Sequence, residues 1–174
     1  MRGDILLITG PSGAGKTTLL SLIGGLILPQ SGNILYHLDM SLRDRLFGYA
    51  FIDGPFFENL SMKENILFLE NFLSIQIDRE YYQYLIQYFE IDTLEDTRVI
   101  SLSSGQRERV NFVRALVHHP SVVILDEPGA NLDNRLFLKL YNFIEKHSED
   151  RDTTFAMVSH DPRFASVATK HIEL

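Results

Sequence analysis

The feature that most constrains this chain is Gly10-Pro11-Ser12-Gly13-Ala14-Gly15-Lys16-Thr17, an instance of the pattern G-x-x-x-x-G-K-[ST]. An apolar run, Asp4–Thr9, leads into it. A segment of helical spacing, Lys16 to about Ile27, leads out, with Leu19, Leu20, Leu22 and Ile23 as its apolar positions. That context matters because such a loop works by geometry. Glycines let the backbone curl until several N–H groups face inward, and the following helix turns the positive end of its dipole to the same point. The product is a cradle for the phosphates of a nucleoside triphosphate such as ATP. Lys16 is expected to reach the β- and γ-phosphates, and the Thr17 hydroxyl to bind Mg²⁺. The nucleotide-contacting stretch is therefore expected to comprise Gly10, Pro11, Ser12, Gly13, Ala14, Gly15, Lys16, Thr17 and Thr18.

The rest of the chain reads as strands alternating with helices. Asn33–Leu38, Phe47–Phe51, Val122–Leu125, Thr153–Ser159 and Lys170–Leu174 have the look of strands, with a turn at Asp53-Gly54-Pro55. Helical spacing marks Ser104–His118 and Asn134–His147. From Met62 to Phe89 the spacing carries two stripes, Ile66, Leu67, Leu69 and Leu73, then Tyr81, Tyr84, Leu85, Tyr88 and Phe89, the second expected in the core rather than at a cofactor. Alternation of this kind predicts a single α/β domain over 1–174, a mainly parallel sheet covered by helices. The all-helical stretch of about 62–118 reads as an inserted subdomain in a core of about 1–61 and 119–174.

Composition closes off several classes. With 16 basic and 23 acidic residues the formal net charge is -7, so no global field draws the chain to nucleic acid or anionic lipid, and no nucleic-acid partner is expected. The absence of cysteine excludes disulfides, thiolate metal sites and thiol nucleophiles. The longest apolar stretch, Leu19–Leu28, is broken by Ser21, Gly24 and Gly25 and falls short of the roughly 20 residues of a spanning helix. Met1-Arg2-Gly3-Asp4 does not resemble a signal peptide. A soluble protein is expected, with no direct membrane insertion.

A second constellation narrows the reading. Leu102-Ser103-Ser104-Gly105-Gln106 precedes a helical pattern, Val122–Leu125 ends in Asp126-Glu127-Pro128, and Ala130-Asn131-Leu132-Asp133 and Val158-Ser159-His160-Asp161 follow. In this order and spacing they resemble the signature, the acidic strand end, the D-loop and the switch-histidine segment of ATP-binding cassette (ABC) ATPases. The resemblance covers nearly the whole chain and implies a P-loop nucleotide hydrolase of cassette type. It implies Asp126 as the Mg²⁺ partner of Thr17, Glu127 as the base for the attacking water, and His160 as a γ-phosphate contact that orients both, with Lys16 among the catalytic groups. It also implies a head-to-tail dimer, homomeric or with another cassette, in which Ser103, Ser104, Gly105 and Gln106 contact nucleotide held by the other subunit and the Asp133 D-loop lies nearby. His118, His119, His147 and His171 are expected to be structural.

Departures from the family pattern are equally visible. Aligning Phe47–Ile52 with the family's Q-loop strand puts Ile52 where a glutamine is usual, with Asp53 as a substitute or simply a turn acid. Only Met1–Thr9 precede Gly10, so most of the family's initial antiparallel strands, and the aromatic residue that stacks on adenine, are not expected here. Such a stack is worth about 1–3 kcal/mol. Ser104 stands in place of the first signature glycine, and the chain reads as a motor without a regulatory extension. The resemblance implies the ATPase subunit of a membrane transporter, held at the inner face of the cell membrane by an integral membrane partner. Among subfamilies it is similar to the haem exporter of cytochrome c maturation, with lipoprotein-release and cell-division ATPases close by. Phe56, Phe57, Leu60 and Met62 are candidates to line the partner's groove or the local core. The alternative is a non-transport or catalytically weak cassette protein acting as a structural or regulatory ATP-binding module.

Overall fold

In the computed structural model the described residues are 3–36, 39–52, 54–151 and 153–174; the side chains of residues 40, 43 and 151 are left aside. Asp53 therefore lies outside them. The strands are β1 (Ile5–Thr9), β2 (Phe47–Ala50), β3 (Val122–Asp126), β4 (Thr154–Val158) and β5 (Lys170–Glu173). The helices are α1 (Lys16–Ile23), α2 (Arg43–Leu46), α3 (Met62–Leu73), α4 (Arg79–Tyr88), α5 (Ser104–Leu116) and α6 (Asn134–Arg151).

Every strand pairing is parallel, in the order β2-β3-β4-β1-β5. Because side chains alternate along a strand, each central strand feeds both faces. Ile8, Ile124, Ala156 and Val158 pack with Leu20 of α1 on one face. Ile5, Leu7, Val123, Leu125, Phe155 and Met157 pack on the other with Val110 and Val113 of α5 and Phe137 and Ile144 of α6. That second cluster runs on without a break into α3 and α4 through Ile66, Leu85, Phe89 and Phe112. Both expected stripes reach it: Ile66 and Leu85 are fully buried, while Tyr84 is left exposed and stacks on Tyr81. Burying each such large side chain is worth about 1.5–3 kcal/mol.

Some boundaries differ from those the sequence predicts. Helix α1 stops at Ile23 rather than near Ile27, because Gly25 adopts a left-handed φ of 68° and its N–H turns back to Leu22 O at 3.0 Å. Residues 62–89 form two helices, broken at Ser74 with φ 50°. Asn33–Leu38 was expected to be a strand, and residues 33–36 are not one. A strand needs a neighbouring backbone for its hydrogen bonds. Here the Tyr36 hydroxyl instead donates to Leu22 O and Ile23 O at the end of α1, and Leu35 stays exposed. His37 and Leu38 lie outside the described residues. The histidines expected to be structural are tied into packing: His118 to Phe47 O, His147 against the Phe143 ring, His119 against Tyr81, and His171 to the Thr9 hydroxyl.

Candidate nucleotide site

Strands β3, β4 and β1 lie side by side, so their carboxyl ends bring Asp126, Val158 and Thr9 to one edge of the sheet. In parallel α/β sheets that edge is where ligands bind. β2 adds Ile52 just past its own end. Between them opens a cleft of about 430 Å³ lined by Ser12, Gly13, Gly15–Thr18, Ile52, Asp126, Glu127, Val158 and His160.

The loop from Gly10 is built from its own backbone. Ala14 N–H donates to Pro11 O at 3.2 Å, closing the turn. Gly13 and Gly15 take φ 82° and 93°, a region that costs residues with a Cβ. Gly15 is the N-cap of α1 and Leu19 N–H reaches its carbonyl at 2.8 Å. No acidic side chain sits in the first turn of α1 to compete for the free N–H groups. Lys16 is buried, with Nζ donating to Gly10 O at 2.9 Å and Pro11 O at 3.0 Å. Its ammonium is thus held across the loop mouth, partnered only by neutral carbonyls in these bonds.

Thr17 Oγ1 donates to the Asp126 carboxylate, at 3.2 Å from Oδ2 and 3.4 Å from Oδ1. Burial raises the Asp126 pKa from its ordinary value; the Thr17 bond opposes this, Glu127 adds to it and Lys16 opposes it. Two hard oxygen ligands in one corner suit Mg²⁺, which usually takes one or two protein oxygens and fills its octahedron with phosphate and water. Among the described residues no group of three or more His, Cys, Asp or Glu side chains could hold a metal by itself. The donor set therefore fits a cation that arrives with its nucleotide.

Glu127 has φ 50°, a left-handed conformation uncommon outside glycine. Strain of this kind costs about 1–3 kcal/mol and persists only where the surroundings impose it. Glu127 N–H donates to Val158 O at 2.9 Å, and its Oε2 accepts from His160 N–H at 3.1 Å. The His160 ring reaches Oε1 at 3.4 Å. The conformation turns the Glu127 carboxylate away from the strand axis and beside the exposed His160 ring.

The other expected site residues stand apart from the cleft. Ser103 caps α5, its Oγ accepting from Gln106 N–H at 3.3 Å while Gln106 Oε1 accepts from Ser103 N–H at 2.9 Å. This capping box occupies both side chains and leaves Ser103 and Ser104 on the surface. Asp133 accepts from Leu136 N–H at 2.8 Å, the bond of a helix cap at the head of α6. Within one chain, then, the phosphate loop, Asp126, Glu127 and His160 come together, and residues 103–106 and Asp133 do not join them.

A separate apolar groove of about 490 Å³ runs between β2, the segment after Ile52, and α3. Phe57, Phe68 and Phe72 line it, with ring centroids 4.8 Å and 6.1 Å apart along the series, and Phe72 is 63% exposed. Of the candidates for such a groove, Phe57 lines it. Met62 is fully buried as the first residue of α3, and Phe56 lies 4.7 Å beneath the Arg114 guanidinium.

Several residues that sequence reasoning missed hold these parts together, all on α5. Asn111 Nδ2 donates to Phe51 O at 2.6 Å, Arg114 Nη1 to Pro55 O, and Arg107 pairs in a fork with Glu58 at 2.6 Å and 2.8 Å. On another face, Glu108 accepts from Gly129 N–H, and from Asn131 N–H at 2.9 Å. Polar residues on an amphipathic helix read in sequence as a solvated face, and no local pattern separates these from one.

Comparison with known proteins meets this geometry. The family described as ABC transporter matches residues 1–130. The lipoprotein-releasing system ATP-binding protein of Buchnera aphidicola subsp. Schizaphis graminum is 36% identical over 99% of this chain and 81% of its own length. The chain belongs to the ABC transporter family. The sulfate/thiosulfate import ATP-binding protein of Pectobacterium atrosepticum is 35% identical, over 99% of this chain and 55% of its own length. The spermidine/putrescine import ATP-binding protein of Mycoplasma capricolum is 35% identical, over 91% of this chain and 47% of its own length. The chain spans about half the length of these import relatives. In solved structures, the cassette MJ0796 in a dimeric post-hydrolysis state bound to ADP and Pi superposes with a TM-score of 0.89 at 27% identity, covering 100% of this chain and 82% of that one.

Proposed function

We propose that this chain binds MgATP and hydrolyses it as the nucleotide-binding subunit of an ABC transporter. The observation that carries the reading is the convergence of four groups on one cleft: the Lys16 loop, the Thr17–Asp126 pair, Glu127 and His160. Backbone N–H groups of the loop and the head of α1 take the phosphates, and Lys16 exchanges its carbonyl partners for the β- and γ-oxygens. Thr17 and Asp126 hold Mg²⁺, which neutralises phosphate charge. Glu127 accepts the proton of a water whose oxygen attacks the γ-phosphorus. The bond from that phosphorus to the β-γ bridging oxygen breaks, and ADP and phosphate leave. His160 holds the Glu127 carboxylate in place and contacts the γ-phosphate.

Ser103–Gln106 sit away from this cleft, so the reading requires a second cassette, identical or related, arranged head to tail. Each signature helix head then meets nucleotide in the other subunit, with the Asp133 segments at the seam. We divide the chain into a nucleotide-binding core of about 1–61 and 119–174 and a helical subdomain of about 62–118. The Phe57–Phe68–Phe72 groove at their junction is suited to an apolar helix of an integral membrane partner. Among the described residues no helix is long and apolar enough to cross a membrane, and on this reading the partner holds the chain at the inner membrane face.

Glu127→Gln is the decisive test. It keeps the shape and removes the base, so ATP should bind and dimers accumulate while turnover falls about 10²–10⁴-fold. Hydrolysis by this variant at the parent's rate would remove Glu127 from the role of base.

A further inference from the structure

We propose that Glu108 is a positioning residue for hydrolysis, clamping the loop that carries Glu127 to the signature helix. The inference rests on the reading of Glu127 as base. From Glu127 to Asn131 the backbone is under-determined by its own bonds. Glu127 and Gly129 both adopt left-handed φ, 50° and 89°, and Pro128 has no N–H to give. The turn bonds inside the segment, Ala130 N–H to Glu127 O at 3.3 Å and Leu132 N–H to Gly129 O at 3.1 Å, use alternate amides. The amides that precede each of these, those of Gly129 and Asn131, both donate to the Glu108 carboxylate.

Helix α5 is built to bring that carboxylate close. Gly105, one turn before Glu108 on the same helix face, lies against the loop. A Cβ there would stand 2.7 Å from Asn131 O, so any larger residue would push helix and loop apart. Two charge-assisted bonds from one rigid helix therefore fix a strained segment whose first residue is the proposed base. Glu108 itself does not line the phosphate cleft. It acts through Glu127: if the loop relaxes, the Glu127 carboxylate drifts from its place beside His160, and a misplacement of about 1 Å can cost about 10²-fold in rate.

The test is steady-state ATP hydrolysis by the full chain and by Glu108→Ala, Glu108→Gln, Glu127→Gln and the double variant Glu108→Ala/Glu127→Gln. Alanine should lower kcat by about 10- to 100-fold with KM for ATP within about threefold, because the phosphate loop is untouched. Glutamine, which keeps one acceptor oxygen and presents a donor where the other stood, should fall between; should the alanine variant fail to fold, it carries the same kcat-against-KM split. In the Glu127→Gln background Glu108→Ala should cost nothing further, since a group that acts through the base has nothing left to position. A kcat loss under threefold overturns the proposal, as does an equal loss in both backgrounds or an effect confined to KM. If the parent chain does not hydrolyse ATP, the functional reading fails separately. Amide hydrogen exchange then decides the clamp: faster exchange at Gly129 and Asn131 in Glu108→Ala, with the 10–17 loop unchanged, supports it, and unaltered exchange overturns it.

Discussion

The phosphate loop and the segment from Phe51 to Glu58 border the same cleft and are held in opposite ways. The loop is self-sufficient: its turn closes within the four residues Pro11–Ala14, its lysine bonds to carbonyls five and six residues back, and its helix begins at once. The other segment owes its position to a distant helix. Asn111, Arg114 and Arg107 of α5 grip Phe51, Pro55 and Glu58, and Asn65 of α3 takes both the N–H and the carbonyl of Phe57. Local geometry makes the anion site; tertiary geometry places what lies opposite it. Changes in the first should strike nucleotide binding and turnover with little effect on stability, and changes in the second should spread into stability and the response to the proposed partner.

The largest effect separating the two belongs to Lys16→Ala. It deletes the only lysine or arginine side chain lining the cleft among the described residues. Loss of a bond to a charged group costs about 1.5–3 kcal/mol, so ATP affinity should fall about 10- to 100-fold and turnover by at least as much. Thermal unfolding without nucleotide should move little, since among the described residues the Lys16 ammonium donates only to Gly10 O and Pro11 O. A large drop in apo stability would mean that the loop is not self-sufficient.

That contrast also governs what could be read in advance. The cradle, the acidic strand end and the parallel strands were legible because each is a local pattern: glycines at set intervals, or an apolar run of strand length. Capping boxes are local too, and Ser103–Gln106 is one of them, in the same residues that the family resemblance marks as a phosphate contact for another subunit. Residues 33–36 were misread because pleated alternation says nothing about whether a neighbouring strand exists. The α5 grips were invisible for a related reason: Glu108 and Asn111 resemble ordinary polar positions until the loops they hold are folded against them.

A middle-sized effect is expected at Arg114. Burial pushes its pKa down to about 10, which still leaves it charged at neutral pH. Its guanidinium binds Pro55 O and the Asn111 carboxamide at 2.9 Å, and lies over Phe56. Arg114→Ala should cost about 1.5–3 kcal/mol and lower Tm by several degrees, while ATP affinity changes by less than threefold. Calorimetry with and without nucleotide separates the two quantities. Equal losses in both would erase the distinction between the two sides of the cleft.

Ile52→Gln should have the smallest effect. Ile52 is 54% exposed and lines the cleft together with Glu127 and His160, and its side chain has no group that can accept or donate a hydrogen bond. Exposed substitutions of this kind change stability by about 0.5 kcal/mol or less. The flanking backbone is already fixed by Asn111 on Phe51 O, so a glutamine there would gain a polar contact without moving the segment. Turnover of the chain alone should therefore change by less than threefold. The sharper measurement is stimulation by the proposed membrane partner. If α5 carries the link from the apolar groove to the Glu127 loop through Asn111 and Glu108, stimulation in Ile52→Gln should match the parent's, and Asn111→Ala should lose it. A tenfold gain in stimulation with glutamine at position 52 would instead place the link at that side chain, and would reduce the α5 grips to scaffolding.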